Sequence, residues 1–83
     1  MLVPLYGFVE GDTMGLLVLA RDDMLLSQVA DKLRESARTR VNDTRAAELV
    51  VGHRPMKASL TVTEAGLRAL DRVDLRFIDG ETG

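Results

Sequence analysis

Leu60–Phe77, LTVTEAGLRALDRVDLRF, is the stretch whose reading decides the fold. Thr61 stands three residues before Glu64, a spacing that caps a short helical turn, because the hydroxyl accepts from N–H groups left unpaired in a first turn. Gly66 breaks that turn. Further on, Val73, Leu75 and Phe77 alternate with Asp74 and Arg76. Such alternation makes a strand with one buried face and one wet face, since successive side chains point to opposite sides. A single helical turn therefore runs straight into a closing strand.

Working outward, the N-terminal segment LVPLYGFVEGDTMGLLVLA reads as two strands around a turn. Val3, Leu5 and Val9 alternate with Pro4, Tyr6 and Phe8, and Glu10–Thr13 supplies turn chemistry. Leu16–Leu19 is an apolar run of strand length. Pro4 lacks an N–H donor, which restricts it to a strand end or a ladder side that faces solvent. DDMLLSQVADKLRESARTR, residues 22–40, predicts the main helix, with Asp22 or Asp23 as N-cap. Leu26, Val29, Ala30, Leu33 and Ala37 share one helical face, opposite Gln28, Lys32, Glu35 and Arg38. The arginines at its end suit the negative pole of the helix dipole. Glu48–Val51 predicts a strand, Gly52 a turn, and Arg54–Met56 a brief further strand.

The order is strand, strand, helix, strand, short strand, turn, strand. It specifies an α+β fold in which one helix packs across one face of a mixed sheet of four to five strands, the β-grasp arrangement. Residues 1–79 are expected to form one domain and residues 80–83 a short tail. A chain of 83 residues buries enough surface for one small core, roughly 60% of what its unfolded form exposes.

Composition narrows the function. The formal net charge is −2 and aromatic residues make up 4%, so nothing suggests a nucleic-acid footprint or a base-stacking surface. The chain has no cysteine, which excludes disulfides, zinc–thiolate sites and a cysteine nucleophile. A cytoplasmic protein with no membrane segment and no signal peptide is expected.

The helix and the quoted stretch carry two resemblances. Residues Glu10–Leu33 and Leu49–Phe77 resemble the ubiquitin fold: Gly11 and Thr13 in the first turn, Val29 and Leu33 in the helix core, then Met56, Thr61, Val62 and Leu67 before the last strand. More narrowly, DDMLLSQVADKL, the basic RTRV and LTVTEAGLRALDRVDLRF are similar to protein B of toluene-4-monooxygenase systems. That resemblance implies a ubiquitin-like accessory (gamma) subunit of a bacterial multicomponent diiron monooxygenase acting on aromatic hydrocarbons. It implies a chain that packs on the large diiron hydroxylase subunit and carries no iron or other cofactor itself. The start, PLYGFVEGDTMGLLVLA, is more hydrophobic than the toluene enzymes lead one to expect, which leaves room for a divergent branch. The other reading of the fold is a stand-alone ubiquitin-like adaptor or modifier, for which the terminal Gly83 beside Thr82 is a weak match.

No residues assemble into a catalytic constellation. His53 is the only histidine and reads as a solvated turn residue. Diiron sites built from Glu-x-x-His pairs on facing helices need a second helix and that motif, and neither is present. The arginines Arg34, Arg38, Arg40 and Arg45 read either as solvated dipole complements or as a surface for an acidic protein. The chain is accordingly expected to be no enzyme.

The first hairpin has a surplus of apolar side chains, because both faces of both strands are greasy. By the ubiquitin-like match Tyr6, Leu16 and Val18 face the core. Val3, Leu5, Leu17 and Leu19 are then expected to form an outer patch that docks on the hydroxylase. A homodimer through the same hairpin, or cover from the chain's own tail, is the other expectation for that patch.

Overall fold

Residues 1–78 are described by the structure, a computed structural model, and they contain five strands and one helix. The elements are β1 (Leu2–Val9), β2 (Gly15–Arg21), α1 (Leu26–Ser36), β3 (Ala47–Val51), β4 (Arg54–Pro55) and β5 (Arg72–Phe77). The strands form one sheet in the order β2-β1-β5-β3-β4. β1 and β5 run parallel at its centre and the other neighbours are antiparallel. This is the expected α+β β-grasp. Asp79 and the tail 80–83, including Gly83, lie outside the described residues.

α1 lies on one face of the sheet with Leu26, Val29 and Leu33 buried, and Ala37 buried just beyond its end. These are the positions the helical period selects, with Ala30 partly buried beside them. From the sheet, Leu5, Val18, Val73 and Leu75 meet them, and Val62 and Leu67 close the core from the connection before β5. Fully burying each such side chain is worth about 1.5–3 kcal/mol over leaving it exposed.

The helix starts later than its acidic residues suggest. Leu25 is the N-cap, and its N–H donates to Gln28 Oε1 at 3.0 Å. Asp22 and Asp23 do not cap α1 because the chain there is still engaged with the loop ahead of β5. The Asp22 carbonyl accepts from the Thr63 N–H and hydroxyl, the Met24 carbonyl accepts from Val62 N–H, and Leu25 bridges to Thr61. Those contacts hold residues 22–25 outside the helix.

The segment that begins LTVTEAGL folds as its pattern requires. Glu64 N–H donates to Thr61 Oγ1 at 3.1 Å and Thr61 N–H donates to Glu64 Oε1 at 2.9 Å, a reciprocal capping box. Ala65 N–H donates to the Thr61 carbonyl, and Gly66 leaves the turn at φ 73°, a conformation that costs glycine nothing. In β5, Val73, Leu75 and Phe77 are buried while Arg72, Asp74 and Arg76 lie on the other face. β1 pairs with β5 only from Tyr6 onward, so the N–H that Pro4 lacks leaves no gap in that ladder.

Candidate functional site

The sheet face opposite α1 is divided. Directly opposed residues of an antiparallel pair share a face. β1 and β2 align Tyr6 with Leu17, Pro4 with Leu19 and Leu2 with Arg21. Leu2 and Leu17 are 60% exposed, Leu19 53% and Tyr6 45%, an apolar patch along one edge of the sheet.

Two of the four expected patch residues are not there. Val3 and Leu5 are buried in the core, at 9% and 0% exposure, and Tyr6, expected inside, looks out. The register explains both corrections. It sets Leu5 against Val18 and Val3 against Ala20, so the pairs under the helix are those. Joining Leu5 to the face of Leu17 and Leu19 would take a one-residue slip, which turns every side chain over. The turn fixes the register: Asp12 N–H donates to the Val9 carbonyl at 2.9 Å, and the Asp12 carboxylate accepts from Met14 N–H at 3.2 Å. Leu17 and Leu19 are outward as expected, with Leu16 and Val18 on the core side. Leu2 and Tyr6 join the patch unanticipated. Their signal in the sequence is the count of residues across the turn, which sets which side chains face each other.

The other half of the outer face is charged and internally paired. Arg76 meets Glu48 at 2.7 Å across β5 and β3, and Arg72 meets Asp74 at 3.1 Å. The Arg72 guanidinium also lies 4.2 Å from the centre of the Phe8 ring. Val50, opposite Asp74 and Pro55, is buried. Satisfied ion pairs around a covered valine give a partner little to desolvate.

The arginines do not form a common cationic surface. Arg40 reaches back across the fold to Asp12 at 2.9 Å. Arg38, in the turn that follows α1, sits beside Glu35. Arg34 donates to the carbonyls of Asp43 and Arg45, and Arg45 pairs with Asp43 at 2.6 Å. Arg34 and Arg45 also lie over the Phe77 ring, 5.1 and 5.5 Å from its centre. The hydrogen bonds from the Arg45 side chain and N–H bring the Asp43 carboxyl down to about 2. Burial alone raises Asp12, but hydrogen bonds from Met14 N–H and Arg40 outweigh it and hold its carboxyl below the usual range. Arg34, Arg40 and Arg45 thus tie the loops together.

His53 is exposed in the turn between β3 and β4, where it and Gly52 have φ of 68° and 57°. Two residues of positive φ are the hairpin connection that matches strand twist. Among the described residues no group of three or more His, Cys, Asp or Glu side chains is placed to hold a metal ion. No helix among them is long and apolar enough to cross a membrane.

A five-stranded mixed sheet with one helix across it and a capped turn before its last strand is a ubiquitin-like β-grasp, and known proteins agree. The ubiquitin-like domain of EccD5 from Mycobacterium xenopi superposes with a TM-score of 0.81 at 15% identity, over 98% of this chain and 99% of that one. The ubiquitin of Caldiarchaeum subterraneum gives 0.74 at 17% identity, over 98% and 100%. A chain of the toluene 4-monooxygenase HD complex with the inhibitor 4-bromobenzoate gives 0.80 at 21% identity, over 94% and 100%. No curated protein sequence matches this one. The family model of toluene-4-monooxygenase system protein B matches residues 2–77, and the chain belongs to that family.

Proposed function

We propose that this chain is a non-catalytic gamma subunit of a bacterial multicomponent diiron monooxygenase, bound to the large hydroxylase subunit through the outer face of β1 and β2. The observation that carries the reading is the division of that face. Leu2, Tyr6, Leu17 and Leu19 stand exposed together on one half, while the other half is closed by its own ion pairs. A contiguous exposed apolar patch on a small protein marks an interaction surface. Membership of the protein B family and the likeness to a chain of the toluene 4-monooxygenase complex support a hydroxylase as what covers it.

In this reading the reacting atoms, the iron and the choice of hydrocarbon belong to the partner, and the subunit works in the cytoplasm. Its own residues supply a rigid sheet that presents four side chains with few degrees of freedom to lose on binding. The test is co-purification with the large subunit from a strain expressing both. The parent chain is expected to come through in stoichiometric amount. The pair Leu17→Asp with Leu19→Asp is expected to be lost from the complex while the isolated variant still folds. Retention of that pair moves the interface elsewhere, and covalent ladders on many proteins point to a modifier instead.

A further inference from the structure

β2 is an edge strand, and from Gly15 to Ala20 it carries no charged residue and no proline. Natural sheets protect an exposed edge with such residues, with bulges or with covering segments. The hydrogen-bond phase shows which backbone groups this edge leaves open. Asp22 N–H donates to the Met1 carbonyl, and on the other side of β1 the Tyr6 N–H donates to the Asp71 carbonyl and Leu70 N–H donates to the Pro4 carbonyl. Odd-numbered residues of β1 therefore bond β2 and even-numbered ones face β5. By the register, Leu16, Val18 and Ala20 point their N–H and C=O groups at β1. The N–H and C=O groups of Leu17 and Leu19 point away from the sheet. The same two residues thus offer free backbone at the edge and exposed side chains on the outer face.

Beside this edge runs a groove between β2 and α1, lined by Leu17, Val18, Leu19, Lys32, Glu35 and Ser36. Glu35 has Arg38 beside it. Lys32 has no partner among the described residues.

From these features we infer that the hydroxylase large subunit contributes an extended segment that adds to β2 as a sixth strand, with an acidic residue placed to meet Lys32. The inference rests on the proposed function and specifies how the contact is made. Added strands gain affinity from main-chain hydrogen bonds and specificity from alternate side chains. A second copy of this chain is a poorer occupant. Edge-to-edge pairing of two β2 strands extends the sheet in its own plane and leaves Leu2, Tyr6, Leu17 and Leu19 of both copies uncovered. A larger partner can both pair with the edge and lie over the face.

The test is titration of the large subunit with Leu19→Pro, with Leu19→Val, and with a semisynthetic chain in which the Leu19 amide is replaced by an ester. Proline keeps an apolar side chain but removes the outward N–H, and the ester removes that N–H without fixing φ. Leu19→Val, which keeps the donor while trimming the outer-face side chain, is the reference for the proline chain, as the parent is for the ester chain. The proline and ester chains are expected to bind about three- to tenfold more weakly, the worth of one hydrogen bond. Lys32→Glu is expected to weaken binding further at low salt than at high salt. If Leu19→Pro fails to fold, the ester chain decides. Parent-like affinity of the ester chain overturns the added strand and leaves the hydroxylase reading standing. Failure of the parent chain to bind the large subunit overturns both. Self-association of the parent in sedimentation, abolished by the ester, assigns the edge to a second copy and overturns the inference.

Discussion

Leu33 of α1 closes directly over Gly7 of β1. A Cβ built on Gly7 meets Leu33 Cγ and Cδ1 at 3.0 Å, with Cδ2 closer still. This is where the helix comes down onto β1, and the space of one methyl group sets the distance between the two layers. Gly7→Ala is therefore expected to destabilise by about 1–3 kcal/mol through overpacking. Adding Leu33→Ala to Gly7→Ala should recover part of the clash while opening a cavity of its own. Urea unfolding of the two singles and the double gives the coupling, and simple additivity contradicts the contact.

The register of the first hairpin makes a sharp contrast between two leucines twelve positions apart. Leu5→Ala removes a side chain with no exposure at all, and a cost of about 2–5 kcal/mol is expected. Leu17→Ala, on the outer face, should stay within about 0.5 kcal/mol of the parent. Chemical denaturation measures both. Equal costs, or the reverse order, mean that the strands pair one residue out of step.

Thr61 and Glu64 hold each other's backbone across the turn before β5. Loss of the hydroxyl in Thr61→Ala is expected to cost about 1 kcal/mol. Thr61→Ser keeps the acceptor and should recover most of it. Equal losses in Ala and Ser show that the methyl group's packing matters rather than the cap.

Acid sensitivity is expected at Asp43. Its carboxyl is held at about 2 by hydrogen bonds from Arg45, below the usual carboxylate range. A group whose pKa is lower folded than unfolded adds stability above its unfolded pKa, and that contribution fades as pH falls toward the folded value. Thermal unfolding should thus drop between about pH 4 and pH 2, and Asp43→Asn should flatten that part of the profile without altering it near pH 7 in shape. An unchanged acid limb in Asp43→Asn contradicts the pairing.

The element order and the closing strand were legible because each carries one strong period: β5 alternates cleanly and α1 has a single apolar stripe. The first hairpin was legible only as a hairpin. Val3 and Leu5 compete with Tyr6, Leu17 and Leu19 for the core, and all are apolar, so side-chain pattern cannot choose a face. The choice is made by the turn, where Asp12 fixes how many residues separate the strands. The start of α1 was misleading for a related reason. Asp22 and Asp23 have good capping chemistry, but the backbone around them is held by Val62 and Thr63, some forty residues on. The arginines show the same limit, since Arg40 finds its carboxylate on a turn twenty-eight positions earlier.

Amide hydrogen exchange of this chain, alone and with the large hydroxylase subunit, tests the central claim most directly. Slowed exchange confined to Leu2–Tyr6 and Gly15–Arg21 is the predicted footprint, with Glu48–Val51 and Arg72–Arg76 unchanged. Protection over the charged half of the sheet, with the hairpin exchanging as freely as before, contradicts it.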